Sequence, residues 1–357
     1  MKLLVIMESF VSGGVERITL NLLKKLKKID YEVTIYAINK HGVYLDQYNS
    51  EFDIISPKNI YLDKYILYKK LLTDNSFDII LATKGGLSLF SLLSKKTPFI
   101  TVQHVPVYLP SANKFKNTCR KLLISYLYKK ITKVISVSDG IKNDLIIKAN
   151  IPQHKIIRIY NPVIFDNLIK TKPQSKKLNS DIIQFVAVGR CSYQKGYDLL
   201  LNIVKILLER GINNFNVNII GDGELLLELK NKSIELNIQN NISFLGYIDE
   251  PYELLANSDC IILTSRWEGL PTVLVEAYFL DLQVISFDCD FGPRELTKNG
   301  INGFLIKNFD CESFANSMLN IINKKRKTSP QLDEFYSDYS ANQYDLLFKS
   351  IVKKNEN

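Results

Sequence analysis

Short apolar runs alternate with helical patterns along nearly the whole of this 357-residue chain, and that alternation leaves few folds open. Compact apolar runs bounded by turn residues read as buried strands. Strands that alternate with helices predict parallel sheets covered by helices on both faces. In the first half the predicted strands are Leu3–Met7, Glu32–Ala37, Asp78–Ala82, Phe99–Val102 and Lys133–Val137. Helices are predicted over Gly14–Lys28, Leu87–Ser94, Asn113–Lys130 and Asp139–Lys148. Thr171 to Ser180 is polar and carries Pro173 and three lysines, which reads as a linker. The strand pattern restarts at Ile182–Val188 and continues through Phe215–Ile220, Ile242–Leu245, Asp259–Leu263, Gln283–Phe287 and Gly303–Ile306. The expected organisation is an α/β domain over residues 1–165, a linker over 166–180 and a second α/β domain over 181–330. A C-terminal helix over 331–357 is expected to pack back on the first domain. Two such doubly wound domains bind ligands at the carboxyl edges of their strands.

Charge narrows the partners. Residues 1–170 hold 26 Lys and Arg against 13 Asp and Glu, whereas 171–357 hold 20 against 24. Nothing from Ile79 to Ser138 is acidic, while ten residues there are basic. A surface field of one sign implies an anionic partner: a membrane, a pyrophosphate-linked substrate or nucleic acid. The stretch Asn113–Lys130 mixes lysines and Arg120 with Phe115, Tyr126, Tyr128 and aliphatic residues, which suits an interfacial helix. No apolar run approaches the roughly 20 residues that span a bilayer. Met1–Met7 is too short for a secretory core and reads as the first strand. The five cysteines are scattered and odd in number, so reduced thiols and no zinc site are expected.

The segment Arg266-Trp-Glu-Gly-Leu-Pro-Thr-Val-Leu-Val-Glu-Ala277 follows the apolar run Cys260–Leu263. Glu268 falls on a loop after a strand. Pro271 and Thr272 suit the start of a helix, and Glu276 falls within that helix. A helix N-terminus offers free N–H groups and partial positive charge to a phosphate. Two carboxylates that accept hydroxyls beside such a cradle fit a nucleotide sugar. In Val188-Gly-Arg-Cys-Ser-Tyr-Gln-Lys-Gly196, Arg190 can fork onto phosphate oxygens and Lys195 supplies a mobile charge. Ser12-Gly-Gly-Val-Glu-Arg17 and Ile220-Gly-Asp-Gly-Glu224 are glycine turns after strands, where backbone approaches ligand closely. Neither is the G-x-G-x-x-G fingerprint, which counts against a dehydrogenase. His104 falls at the end of a predicted strand, before Pro106.

These motifs, in this order, resemble retaining glycosyltransferases of family 4, which have two facing Rossmann-like domains (the GT-B fold). The segment from Glu268 to Glu276 resembles their Glu-x7-Glu motif, and Arg190 with Lys195 resembles their diphosphate-binding pair. The resemblance implies that Arg190 and Lys195 hold the donor diphosphate and Glu268 grips sugar hydroxyls. It places the backbone of Gly269, Leu270, Pro271 and Thr272 against phosphate and sugar, and Glu276 on the ribose. It puts Gly13, Gly14, Gly221 and Tyr247 near donor or base, and His104 at the transferred sugar. Glu268, His104, Arg190 and Lys195 are thus the expected catalytic set. Asp288-Cys-Asp290 matches the D-x-D metal motif of the other major glycosyltransferase fold. It leads here into Phe291-Gly-Pro-Arg-Glu-Leu296, which resembles a family 4 segment, so neither a metal nor another cofactor is expected. In similar enzymes Gly-Pro-Arg-Glu goes with galactose-type donors.

The resulting expectation is a retaining transferase of a UDP-hexose or UDP-N-acetylhexosamine. It would act on a glycan or polyprenyl-pyrophosphate-linked acceptor in bacterial surface polysaccharide synthesis, peripheral to the inner face of the cytoplasmic membrane. A nucleotide-sugar epimerase or a phosphorylase shares the fold, though no motif indicates pyridoxal phosphate. A nucleic-acid-binding protein fits the basic half but not the intact glutamate and Arg/Lys motifs.

Overall fold

The computed structural model describes residues 1–11, 13–58, 63–171 and 182–356. The chain divides into two compact units, Met1–Val163 with Asp333–Asn357, and Ile164–Leu332. In the first unit the elements run β1 (Lys2–Met7), α1 (Gly14–Lys28), β2 (Glu32–Ala37), α2 (Leu45–Asn49), β3 (Asp53–Ile55), α3 (Asp63–Asp74), β4 (Ile79–Ala82), a 3-10 helix (Gly85–Leu93) and β5 (Phe99–Gln103). They continue with α4 (Lys114–Lys130), β6 (Lys133–Ser136), α5 (Asp139–Ala149) and β7 (Ile156–Arg158). All seven strands are parallel, in the order β3-β2-β1-β4-β5-β6-β7. Because both faces are covered, the central strands are apolar throughout: Leu3 to Met7 and Ile79 to Ala82 are all buried.

The second unit holds α6 (Asp166–Thr171), β8 (Ile183–Val188), α7 (Tyr197–Glu209), β9 (Phe215–Ile220), α8 (Leu226–Glu235), β10 (Ile242–Gly246), α9 (Tyr252–Ala256) and β11 (Cys260–Leu263). Then come α10 (Thr272–Phe279), β12 (Gln283–Phe287), α11 (Pro293–Leu296), β13 (Phe304–Ile306) and α12 (Cys311–Ile322). The sheet order is β10-β9-β8-β11-β12-β13, again parallel. Its core packs Phe185, Phe215, Phe287, Phe314 and Met318 around α7 and α12.

The C-terminal helix α13 (Ser337–Glu356) lies in the first unit, against α1. Tyr31 donates its hydroxyl to Asp345 at 2.8 Å, Lys25 pairs with Asp338 at 2.8 Å, and Phe348 is fully buried beside the Tyr31 ring. Helix α6 covers the first six residues of the expected 166–180 linker, and residues 172–181 lie outside the described residues. The helix expected over Leu87–Ser94 is the 3-10 helix Gly85–Leu93. No described helix is long and apolar enough to cross a membrane.

Candidate functional site

Each sheet changes direction at one place, between β1 and β4 in the first unit and between β8 and β11 in the second. Such switch points leave a crevice at the carboxyl edge. Of the residues expected from sequence, Gly13 and Gly14 follow β1, Arg190 and Lys195 follow β8, and Glu268 to Thr272 follow β11, whereas His104, Gly221 and Tyr247 follow β5, β9 and β10.

In the second unit β8 ends at Gly189, whose φ of +151° only glycine adopts freely. The turn that follows is stitched to the end of β9: Cys191 N–H donates to the Asp222 carbonyl at 2.9 Å, and Leu225 N–H to the Cys191 carbonyl at 3.0 Å. A Cβ on Gly221 would overlap the Gly189 carbonyl, so glycine is required for this approach. Gly221 N–H also donates to Gly246 at the end of β10, at 2.7 Å. Arg190 is exposed on this turn and makes no ion pair among the described residues. Tyr247 is 45% exposed, with its hydroxyl donating to Asp249 at 3.0 Å.

Lys195 closes a 3-10 turn and crosses the switch point. Its Nζ lies 2.8 Å from Glu268 Oε1, which also accepts from Ser265 Oγ at 2.7 Å. Both Lys195 and Glu268 are largely buried, at 17% and 8% side-chain exposure. The structure therefore brings Lys195 and Glu268 together directly. Among the described residues, both side-chain bonds to Glu268 fall on Oε1. Gly269, Leu270 and Pro271 are buried, Pro271 caps α10, and Thr272 opens it. Glu276 lies in the second turn of α10, only 1% exposed.

A brace holds this loop that the sequence reading missed. Arg266 forks onto Asp198 at 2.9 and 2.6 Å, donates to the Tyr193 carbonyl at 2.8 Å, and stacks 4.0 Å over the Tyr193 ring. Burial opposes the Asp198 charge, but the Arg266 guanidinium outweighs it and holds the carboxyl below its usual range. Gln194 Nε2 donates to the Trp267 carbonyl at 3.0 Å, and Glu268 N–H to the Asp290 carbonyl at 3.2 Å. Within the Asp288-Cys-Asp290 motif, Asp288 pairs with Arg294 and Asp290 uses its backbone to hold the glutamate loop. Among the described residues no group of three or more His, Cys, Asp and Glu could hold a metal ion.

The first unit carries a second ion pair across its own switch point. Glu16, in the first turn of α1 and 4% exposed, lies 2.8 Å from Lys84, which follows β4. Lys84 also reaches Glu8 at 3.3 Å. Burial works against the ammonium, yet the two carboxylates more than offset it and its pKa is raised. The sequence reading did not find Glu16, because nothing local pairs it with Lys84. Glu16 Oε2 lies against Gly13, where an added Cβ would overlap it. Gly13 caps α1 and Gly14 begins it; Ser12 lies outside the described residues.

His104 follows β5 on the same edge. Its Nε2 donates to the Thr83 carbonyl at 3.0 Å, which leaves Nδ1 as an acceptor. Burial, aided by the Lys84 charge, pushes its pKa down to about 4, so the ring is neutral at pH 7.

Comparison with known proteins follows this geometry. Residues 12–166 match the family model described as Glycosyltransferase Family 4, and residues 169–340 the one described as Glycosyl transferases group 1. The chain is 29% identical over 333 residues to the amylovoran biosynthesis glycosyltransferase AmsD of Erwinia amylovora, covering 90% of each. It is 26% identical over 334 residues to the UDP-Gal:alpha-D-GlcNAc-diphosphoundecaprenol alpha-1,3-galactosyltransferase of Escherichia coli, covering 88% of this chain and 86% of that protein. The crystal structure of Anabaena HepE in complex with UDP-glucose superposes with a TM-score of 0.77 at 19% identity, over 99% of both chains. That likeness is one of fold.

Proposed function

We propose, on the premise that this chain belongs to glycosyltransferase family 4 and has the GT-B fold, that it transfers a hexose or N-acetylhexosamine from UDP with retention and without a metal. The observation that carries this reading is the Lys195–Glu268 pair across the second unit's switch point, with Arg190 exposed beside it. In the resting protein the two charges satisfy each other. A donor would exchange that contact, offering its diphosphate to Lys195 and Arg190 and its sugar hydroxyls to Glu268. The cations then stabilise charge as the diphosphate leaves. Glu276 would take the ribose, and Gly221 and Tyr247 would flank the nucleotide. The acceptor would attack on the leaving group's own face, with the diphosphate as base. His104 presents a neutral Nδ1, suited to a sugar hydroxyl. The Gly13–Gly14 loop, beside Glu16 and its Lys84 partner, would contact the donor phosphate or the acceptor.

The test is release of nucleotide from a panel of UDP- and GDP-sugars, with and without EDTA. Release of UDP from one or more UDP-hexoses, untouched by EDTA, supports the reading; release from none of the panel overturns it. NMR of the product anomer tests retention. Arg190→Ala should weaken UDP binding by about 1.5–3 kcal/mol, the cost of a lost charge-assisted contact. Unchanged UDP affinity by calorimetry would remove Arg190 from the diphosphate site.

AmsD and the E. coli enzyme are named for polysaccharide or lipid-linked chemistry. For this chain we take the acceptor to be a glycan or polyprenyl-pyrophosphate-linked sugar at an anionic membrane. Helix α4 supports this: Phe115, Leu122, Leu123 and Tyr126 are 77%, 63%, 45% and 53% exposed among lysines. Two residues of that helix depart from the expected outer face. Tyr128 is fully buried and bonds Gln103, and Arg120 is spent on the carbonyls of Pro106 and Val107. Changing Lys114, Lys116 and Lys121 to glutamine should therefore weaken sedimentation with anionic vesicles, by about 1 kcal/mol per lysine at low salt. Binding indifferent to salt and to these changes would remove the membrane surface as a partner.

A further inference from the structure

We propose that the amino edge of the first sheet holds a second anion site, built to take a phosphoryl group and distinct from the donor site. A cavity of about 420 Å³ lies there, lined among others by Ser91, Lys95, Lys96, Thr97, Lys130 and Thr132. Its residues immediately precede β5 and β6, whereas His104 follows β5, so cavity and acceptor-side residues occupy opposite edges of one sheet. No carboxylate lines it, and no acidic residue occurs between Ile79 and Ser138.

The local field is positive for structural reasons. The carbonyls at the end of α4 would repel an anion. Here Lys155 caps two of them, donating to Lys129 and Ile131 at 2.6 and 2.7 Å. Burial and the nearby Lys133 charge lower the Lys155 pKa, as crowded cations require. Lys130 hydrogen-bonds Tyr126, while Lys95 and Lys96 are exposed and make no ion pair among the described residues. Among the described residues, Ser91 Oγ, which is shielded from solvent, has no hydrogen-bond partner. A buried hydroxyl of that kind calls for an explanation, and an absent ligand or water is one. Three ammonium groups and several hydroxyls around a volume within the usual range for small ligands fit a phosphate monoester or diester. Leu92, 42% exposed, also lines the cavity, which would let the phosphoryl group belong either to a lipid headgroup or to a soluble phosphate ester.

The experiment is lysine acylation footprinting of the whole protein by mass spectrometry, with three probes: glycerol 3-phosphate, phosphatidylglycerol vesicles, and sodium chloride at matched ionic strength. The exposed pair Lys69 and Lys70 on α3 is the internal control. Protection of Lys95 and Lys96, but not Lys69 and Lys70, by glycerol phosphate supports a site for soluble esters. The same selective protection by vesicles alone supports a headgroup site. Equal protection of both pairs, or protection no better than chloride gives, overturns the proposal. A Lys95→Gln/Lys96→Gln variant should bind the protecting probe about thirtyfold more weakly, while Lys69→Gln/Lys70→Gln changes it little. UDP affinity should be unchanged in both variants, so failure here is separable from failure of the donor assignment.

Discussion

Glu268→Gln is expected to lower transfer by about 10²–10³-fold while leaving UDP affinity within about threefold. The substitution keeps the volume of a buried side chain, so packing should survive. It removes the charge that Lys195 meets at 2.8 Å, while the amide oxygen can still accept from Ser265, which meets the carboxylate at 2.7 Å. Lys195 loses a competitor and remains available to the diphosphate, which is why nucleotide binding is spared. The acceptor left for sugar hydroxyls becomes a neutral amide, which fits the ground state but not the developing charge of an oxocarbenium-like centre. Glu276→Gln should do the opposite, weakening UDP, if Glu276 takes the ribose as proposed. Steady-state rates and calorimetry on both variants check this division. Equal losses of UDP affinity in the two would contradict it, and an active Glu268→Gln enzyme would remove Glu268 from the chemistry.

The strands that order this site were legible because burial on both faces leaves unbroken apolar runs, as in Leu3 to Met7 and Cys260 to Leu263. The glycine turns after β8 and β9 were legible because no other residue tolerates those contacts. What escaped lies at edges or in long-range pairing. β3 and β7 are three residues each at the rims of their sheet and partly exposed, so their apolar pattern is weak. Helix α3 has only Tyr68 and Leu71 buried, too few for a clear stripe. Arg266 stood inside the recognised motif, but its partner Asp198 sits on α7, and no spacing rule links them. Lys84 was read as one cation in a basic stretch, whereas Glu16 and Glu8 hold it at the switch point. Tyr128 and Arg120 share a helix with exposed lysines yet point inward, since helix periodicity alone does not say which face meets the sheet.

Acidification should destabilise the first unit through His104. In the folded protein its pKa is about 4, held down by burial and by Lys84, while an unfolded histidine titrates near 6.5. Between those values the unfolded chain binds the proton and the folded chain does not, so stability falls as pH drops through that window. The full effect is about 3 kcal/mol below pH 4, and about 2 kcal/mol of it should already be lost between pH 7 and pH 5. Well above pH 6.5 the ring is neutral in both states and contributes no pH dependence. Glu16 and Glu8 face the same Lys84 ammonium, at 2.8 and 3.3 Å. His104→Gln keeps a donor toward the Thr83 carbonyl and removes the titration. Urea unfolding at pH 7 and pH 5, followed by tyrosine absorbance, should show a midpoint loss in the native protein that shrinks in the variant. The same acid-induced loss in both would mean that His104 is not the buried neutral base that its proposed role at the sugar requires.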